Sequence, residues 1–461
     1  IGVAFMDLVY LLPALMFLAL ALLLFSGFPV AWVLGGVGIG FGFIGMHYGV
    51  FEFIYFFNVI SRIWGTAAEN LILVAVPMFI FMGTMLEKSG VATDLLHCLQ
   101  VLLKRTPGGL ALSVTIMGTI MAATTGIIGA SVVMMSLLAL PVMLERGYQV
   151  QLASGTIAAS ATLGILIPPS IMLVIMADLL SISVGTLFLA AIFPGLLLAL
   201  LYLVYIYIRT RLNPSLAPPL PDSLGPDTKA ELYVMVIRSF VPPISLIVFV
   251  LGSIFAGWAT PTEAAGVGAL GAVLLALMNR RLNYQVLKDV LIRSALTIGM
   301  IFGIFIGATC FSYVYRVLGG DDVVHNFIMH IGLGDWGLLF LMMGMVFLLG
   351  FFFDWIEITL IVLPLFAPLM KLMDFGAHIP FGAVDIVPWI AILLAVNLQT
   401  SFLTPPFGFA LFYMKGVAPP HVKMQQIYGG IIPFVTLQLI GLGFVIGFPQ
   451  LALWLPHALL D

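Results

Sequence analysis

Long apolar runs, each close to the length a helix needs to cross a bilayer, constrain this chain more than anything else in it. They cover 8–25, 30–46, 69–86, 108–123, 128–144, 182–208, 239–257, 262–279, 294–316, 336–353, 355–371 and 430–455. About 20 mostly apolar residues span the hydrocarbon core of a membrane. Only 8% of the 461 residues are charged and 62% are hydrophobic, against about 25% and 45–50% in soluble proteins. A soluble enzyme, a disordered chain and a secreted disulfide scaffold are therefore excluded. An outer-membrane barrel would alternate polar and apolar residues in segments of about ten, and these runs are continuous. The chain reads as an all-α polytopic membrane protein whose first environment is the lipid bilayer. A net charge of −3 offers no basic patch to nucleic acid. Cys98 and Cys310 have no metal-type spacing, and a disulfide between them stays open. The first run lacks a basic start and reads as a membrane helix, not a cleaved signal. Met6 suits an initiator, which would make residues 1–5 a remnant of something upstream.

Two further apolar stretches, 150–180 and 386–414, are interrupted by Pro168-Pro169 and Pro405-Pro406. A proline pair removes two backbone donors and breaks a helix. Each stretch holds two half-length helices, so both read as re-entrant hairpins with the prolines at their tips. The pieces 51–65, 282–293 and 321–332 read as amphipathic helices at the interface. The Pro-rich stretch 213–228 reads as a linker between a first half, 1–212, and a second half, 229–461. Arg209, Arg211, Lys229 and Arg238 flank it, and Arg280, Arg281, Lys288, Arg293, Lys88, Lys104 and Arg105 cluster in other loops. A path with one crossing per helix puts these groups on one side, the cytoplasmic one, and the N-terminus on the other.

The two halves echo each other. Phe28-Pro29-Val30 recurs as Thr260-Pro261-Thr262, Leu140-Pro141 as Leu363-Pro364, and Pro168-Pro169 as Pro405-Pro406, all in the same order. The path gives the copies opposite orientations. Inverted repeats with broken helices at mid-membrane are a secondary-transporter architecture.

Broken backbone is tolerated in a membrane only where it is buried in protein or lines a wet cavity. Ser160, Thr162, Gly164 and Ser170 flank the first proline pair, and Asn397, Gln399, Thr400, Ser401, Thr404 and Gly408 flank the second. Freed carbonyls and hydroxyl oxygens suit a small hard cation, and half-helix N-termini suit an anion. The plainer alternative is that these hydroxyls bond back to their own helix. Each half has a second break, at 124–131 and at 350–359. In the second, Asp354 and Glu357 stand one turn apart between very apolar runs. A charge at mid-membrane is expensive and marks function, whereas at the interface it needs no explanation. Glu263, behind Pro261-Thr262, reads as a helix-start cap, and Lys415 as an interfacial anchor. The histidines show no metal spacing. There is no GxxxxGK[ST] loop, no HExxH and no GxSxG, so neither ATP hydrolysis nor a familiar catalytic site is indicated.

Four stretches carry a family resemblance: GIIGASVVMMSLLALPVMLERGY (126–148), ASATLGILIPPSIMLVI (159–175), ATPTEAAGVGALGA (259–272) and NLQTSFLTPPFGFALFYMKGVAP (397–419). Through them the chain resembles the large membrane subunit of TRAP transporters, the tripartite ATP-independent periplasmic transporters. The resemblance implies a small four-helix membrane subunit, a periplasmic substrate-binding protein that delivers a small-molecule substrate, and residence in a bacterial or archaeal inner membrane. It further implies sodium-coupled uptake, usually of carboxylate-bearing solutes, with no other cofactor. An elevator-type transport domain would slide against a scaffold that includes 8–46 and 239–293. One sodium site would draw on Gly126, Gly129 and Ser131 with Thr162, Gly164 and Pro168. The other would draw on Asp354, Glu357 and Thr359 with Thr400, Ser401, Thr404 and Pro405. Substrate would lie near Ser170, Thr404 and Gly408. The copies differ in one respect: Asp354 and Glu357 stand where the first half has Ser131 and Met134, so a proton could replace one cation. A stand-alone carboxylate carrier and a channel are the competing readings.

Overall fold

Every element is helical among the residues the structure describes, which are 2–125, 128–221, 223–226, 228–380, 382–405 and 408–460 of a computed structural model. Helices satisfy their own backbone groups, which is what lipid demands. The linker reveals the chain path. Its carbonyl at Leu216 accepts from Gln149 N at 2.9 Å, that of Ala217 from Gly108 N at 3.1 Å, and Leu220 N donates to Lys104 O at 2.9 Å. Helices Gly109–Thr125 and Ile128–Glu145 thus leave from and return to the linker face, and form a hairpin. Helix Val184–Leu212, 29 residues long and so about 43 Å, ends at the same face and begins at the far one. The segment between them starts at the linker as Val150–Thr162, breaks over 163–170, and resumes as Ile171–Leu180. It crosses once.

The second half runs the other way. Trp336, at the start of helix Asp335–Leu349, packs edge-on against Phe375, just past helix Trp355–Met370, with ring centroids 4.9 Å apart. That hairpin opens on the far face. Helix Ile386–Leu403 starts there too, since Trp389 Nε1 donates to Val445 O, near the end of helix Met424–Gly447, at 3.0 Å. The helix stops at Leu403, the segment resumes as Phe409–Val417, and it ends on the linker face, where Lys415 Nζ donates to Val422 O at 2.6 Å.

Two hairpins are therefore present, but their places differ from the sequence expectation. The stretches 150–180 and 386–414 are single crossings broken midway, and the hairpins are 109–145 and 335–370. A proline pair interrupts a helix without reversing the chain. The reversals fall at the other pair of breaks. One smaller expectation also changes. Residues 284–293, within the stretch 282–293, open the 34-residue helix Tyr284–Val317 instead of lying along the interface. Glu263 does cap helix Pro261–Met278, as expected, with Thr260 as its partner, while the Thr262 hydroxyl donates to Leu71 O at 2.7 Å.

The halves exchange contacts in matching pairs. Helix Val30–His47 packs on Tyr284–Val317, and Pro261–Met278 packs on Ala75–Lys88. Phe409–Val417 packs on Ile128–Glu145, and Ile171–Leu180 packs on Trp355–Met370. The broken crossings form the centre, with every residue of Ile386–Leu403 buried. Packing there is close. A Cβ on Gly430 would run into the backbone of Gln151, and one on Gly155 into that of Gly430. We expect Gly430→Val to force these two helices apart, at about 1–3 kcal/mol for an overpacked core. A lowered melting temperature against wild type checks this, and an unchanged one would show that the contact relaxes freely.

Candidate functional site

Both hairpin tips meet the broken crossings near the middle of the fold. Arms of 17 and 15 residues carry each tip about 25 and 22 Å inward. Gly350 ends the first arm of the second hairpin, and a Cβ there would collide with the Ser401 hydroxyl. Tip and break are thus in direct contact. The first hairpin packs likewise on the turn Leu163–Ile165.

At the breaks, the polar side chains are mostly spent on nearby backbone. Ser170 Oγ donates to Ile165 O at 2.5 Å, Thr404 Oγ1 to Thr400 O at 2.8 Å, Thr400 Oγ1 to Val396 O at 2.9 Å, and Ser401 Oγ to Leu398 O at 2.7 Å. One contact joins the halves at equivalent positions: Gln399 Nε2 donates to Thr162 Oγ1 at 3.4 Å. Buried oxygens are left over. Gln399 Oε1, Thr359 Oγ1 and Ser136 Oγ have no partner among the described residues. A buried polar atom left unpaired is costly, so these mark places that suit a water or a cation.

Asp354 and Glu357 cap helix Trp355–Met370 reciprocally. Asp354 Oδ1 accepts from Trp355 N at 2.8 Å, and Glu357 Oε2 accepts from Asp354 N at 3.1 Å. The same capping-box logic holds Thr260 and Glu263. The Asp354 side chain also accepts from the backbone N–H of Glu357, which closes the box. A cavity of about 530 Å³ lies in front of them. Its walls come from both tips (Ile128, Gly129, Phe353, Asp354, Glu357), from Phe409 and Tyr413, and from the frame residues Leu24, Val30 and Met300. A Cβ on Gly129 would sit 3.0 Å from the Tyr413 ring, so the glycine lets the tyrosine lie flat against the tip. The wall includes no Lys, Arg or His among its described residues.

The structure thus gathers Gly129, Asp354 and Glu357 on the cavity wall. Ser131, Thr162, Gly164 and Thr359 are buried behind it. Gly126 lies outside the described residues. Ser170 and Gly408 are buried and Thr404 is partly so, and none of the three lines the cavity. Pro168 and Pro405 stand in the broken backbone. No group of three or more His, Cys, Asp or Glu forms a metal-type cluster among the described residues, and both cysteines are free thiols. Sequence reasoning missed Phe409 and Tyr413. Their signal was available, because both follow Gly408 at helical spacing from the second proline pair.

Oppositely directed hairpins, each set against a crossing broken at its centre, define a membrane transporter built from two inverted halves. Residues 17–451 match the family described as Tripartite ATP-independent periplasmic transporter, DctM component, and the chain belongs to that family. It is 29% identical over 391 residues to the C4-dicarboxylate TRAP transporter large permease protein DctM of Pseudomonas aeruginosa, covering 85% of this chain and 87% of that one. It is 28% identical over 453 residues to the ectoine/5-hydroxyectoine large permease of Ruegeria pomeroyi, covering 96% and 98%. Its fold resembles the crystal structure of the Alcanivorax borkumensis YdaH transporter, with a TM-score of 0.59 at 14% identity over 87% of this chain and 89% of that one. The chain is a transporter permease, not an enzyme.

Gly129→Leu would push into the Tyr413 ring and fill the cavity mouth. Uptake is expected to fall at least tenfold while membrane insertion stays normal, measured by solute uptake beside a membrane-fraction blot. Wild-type uptake would remove the cavity from the transport path.

Proposed function

We propose that this subunit drives sodium-coupled uptake of an organic acid by an elevator mechanism, working with a small four-helix membrane subunit and a periplasmic binding protein. One observation carries the coupling: the cavity has two carboxylates and no basic group. An anionic solute entering such a space meets repulsion in low dielectric. Cations seated at the breaks first would reverse that sign, so solute and cation bind together. The Asp354 and Glu357 carboxylates, the orphaned Thr359 and Gln399 oxygens and backbone carbonyls of the broken crossings are ligands suited to sodium. The names of relatives, one for C4-dicarboxylates and one for ectoines, support small polar solutes as cargo. The solute's identity would be chosen by the binding protein.

The packing supports the moving parts. Helices Val30–His47, Ala75–Lys88, Pro261–Met278 and Tyr284–Val317 form a crossed frame. Hairpins and broken crossings form the block beside it. Polar contacts between frame and block are sparse: Asn70 Nδ2 donates to Asp178 Oδ1 at 2.7 Å, and Arg316 donates to Pro364 O at 2.9 Å. In the described path only Arg62, Arg316 and Lys371 lie toward the far face, with the other basic residues toward the linker face. By the positive-inside rule the linker face is cytoplasmic, in an inner membrane.

Asp354→Asn separates the two roles of that residue. Asn caps a helix as well as Asp, so stability should change by no more than a few tenths of a kcal/mol, while Asp354→Ala should cost about 1 kcal/mol. Sodium-dependent stabilisation and sodium-driven uptake should vanish in both. The assay is uptake into proteoliposomes holding all three proteins, with each protein and the sodium gradient omitted in turn. Flux with this chain alone would favour a stand-alone carrier. Flux that follows a proton gradient instead would overturn sodium coupling.

A further inference from the structure

On the linker face, away from the transport cavity, three elements enclose a second polar pocket of about 340 Å³. Helix Val91–Leu102 contributes Asp94 and His97, helix Lys229–Phe255 contributes Arg238 and Ser239, and the turn after helix Pro261–Met278 contributes Asn279 and Arg281. The turn is held in place. Asn279 Nδ2 donates to Ser89 O at 3.1 Å, and the Arg281 side chain lies over Gly90, whose φ of +81° and missing side chain leave it room. Neither Arg238 nor Arg281 is joined to Asp94, or to any other described residue, by an ion pair. Two guanidinium groups around one pocket repel each other unless an anion sits between them.

The surroundings indicate what the anion belongs to. Arg238 and Met235 also line a neighbouring surface pocket of about 430 Å³ with Ala230, Glu231 and Val234. Tyr233, Val234, Ile237 and Val241 on the same helix are exposed and apolar. A polar, Arg-lined pocket thus lies beside an exposed apolar helix surface. Planar guanidinium forks match phosphate bidentately, and basic pockets between membrane helices on the cytoplasmic side are suited to lipid headgroups. Asp94 on the rim disfavours a dianion and is tolerable for a singly charged phosphodiester.

We propose that this pocket binds an anionic phospholipid of the cytoplasmic leaflet, its phosphodiester between Arg238 and Arg281 and its acyl chains along helix Lys229–Phe255. The lipid would pin that helix to helix Val91–Leu102 and to the turn at 279–281. The site depends on the fold and the charge bias alone, so it stands or falls separately from sodium coupling.

The test uses the full chain in detergent. Binding of phosphatidylglycerol, phosphatidylcholine and inorganic phosphate is read by native mass spectrometry and by shift of the melting temperature. Wild type should retain phosphatidylglycerol and gain stability from it, and gain neither from phosphatidylcholine. The double variant Arg238→Gln/Arg281→Gln should bind phosphatidylglycerol about 25-fold more weakly, from the loss of two basic contacts. Arg211→Gln, on the same face but outside the pocket, should bind as wild type does. The lipid-free melting temperature shows whether the double variant is folded, and if it is not, Arg238→Lys with Arg281→Lys supplies the comparison with partial retention expected. Equal effects of the two lipids, or of phosphatidylglycerol on wild type and the folded double variant, would overturn the site. Saturation by inorganic phosphate with no preference for lipid would reassign it to a free anion.

Discussion

The constraint on which this structure depends is that a broken helix inside a membrane needs partners for the backbone groups it frees. The chain meets it by placing both broken crossings at the centre, where no lipid reaches them. Helix Ile386–Leu403 is buried along its whole length, though it carries Asn397, Gln399, Thr400 and Ser401 in succession. Those side chains are tolerable there because each bonds within reach, as Asn397 does to Met343 O at 2.7 Å. Burial in turn requires a wrapping layer, and the hairpins supply it. Each tip presses its own reversal against a break, so that irregular backbone meets irregular backbone and both stay out of hydrocarbon.

This arrangement concentrates unsatisfied polarity in one small region. Two carboxylates on the cavity wall and several unpartnered buried oxygens nearby make this region attractive to cations and repulsive to anions. The missing basic group on the cavity wall is therefore as informative as the acids present. Had a Lys or Arg stood there, the protein itself would neutralise an organic acid. In its absence, the sodium coupling proposed above would supply that neutralising charge. The capping box adds rigidity, because Asp354 and Glu357 are already fixed by the helix start they close and need little reorganisation when a cation approaches.

Much of this was legible in the sequence, and the errors have identifiable causes. The apolar runs gave the class, and recurring landmarks gave two inverted halves. The proline pairs located the breaks correctly but were misread as reversals, because a break and a turn leave the same local signature. Lys104-Arg105 and Glu145-Arg146 bracket the true hairpin and lie together at the linker face, but two arms of 17 and 18 residues are long enough to pass for full spans. Asp354 and Glu357 stood out as acids between very apolar runs, with mid-membrane and interfacial places both open. Their mutual capping was also readable from the spacing, as it was at Thr260 and Glu263. The family resemblance offered Ser170 and Thr404 as binding groups, and their hydroxyls donate to the nearby carbonyls of Ile165 and Thr400, as the plainer alternative had it. Tyr413 escaped notice since its role depends on Gly129, which is remote in sequence and leaves the ring its place.

The contrast between the two kinds of contact bears on motion. Where helix Met424–Gly447 meets the broken crossing Val150–Thr162, the helices approach until glycine is the only residue that fits, as at Gly430, and such packing resists sliding. Between block and frame, few directional polar bonds are seen among the described residues, and the surfaces are largely apolar. A dispersion contact between smooth apolar surfaces can be exchanged for a similar one after a shift along the membrane normal, whereas an interlocked glycine contact cannot. Under the elevator mechanism proposed above, the block is the unit that would move intact. Asn70–Asp178 and Arg316–Pro364 are bonds that the proposed movement would have to break and replace.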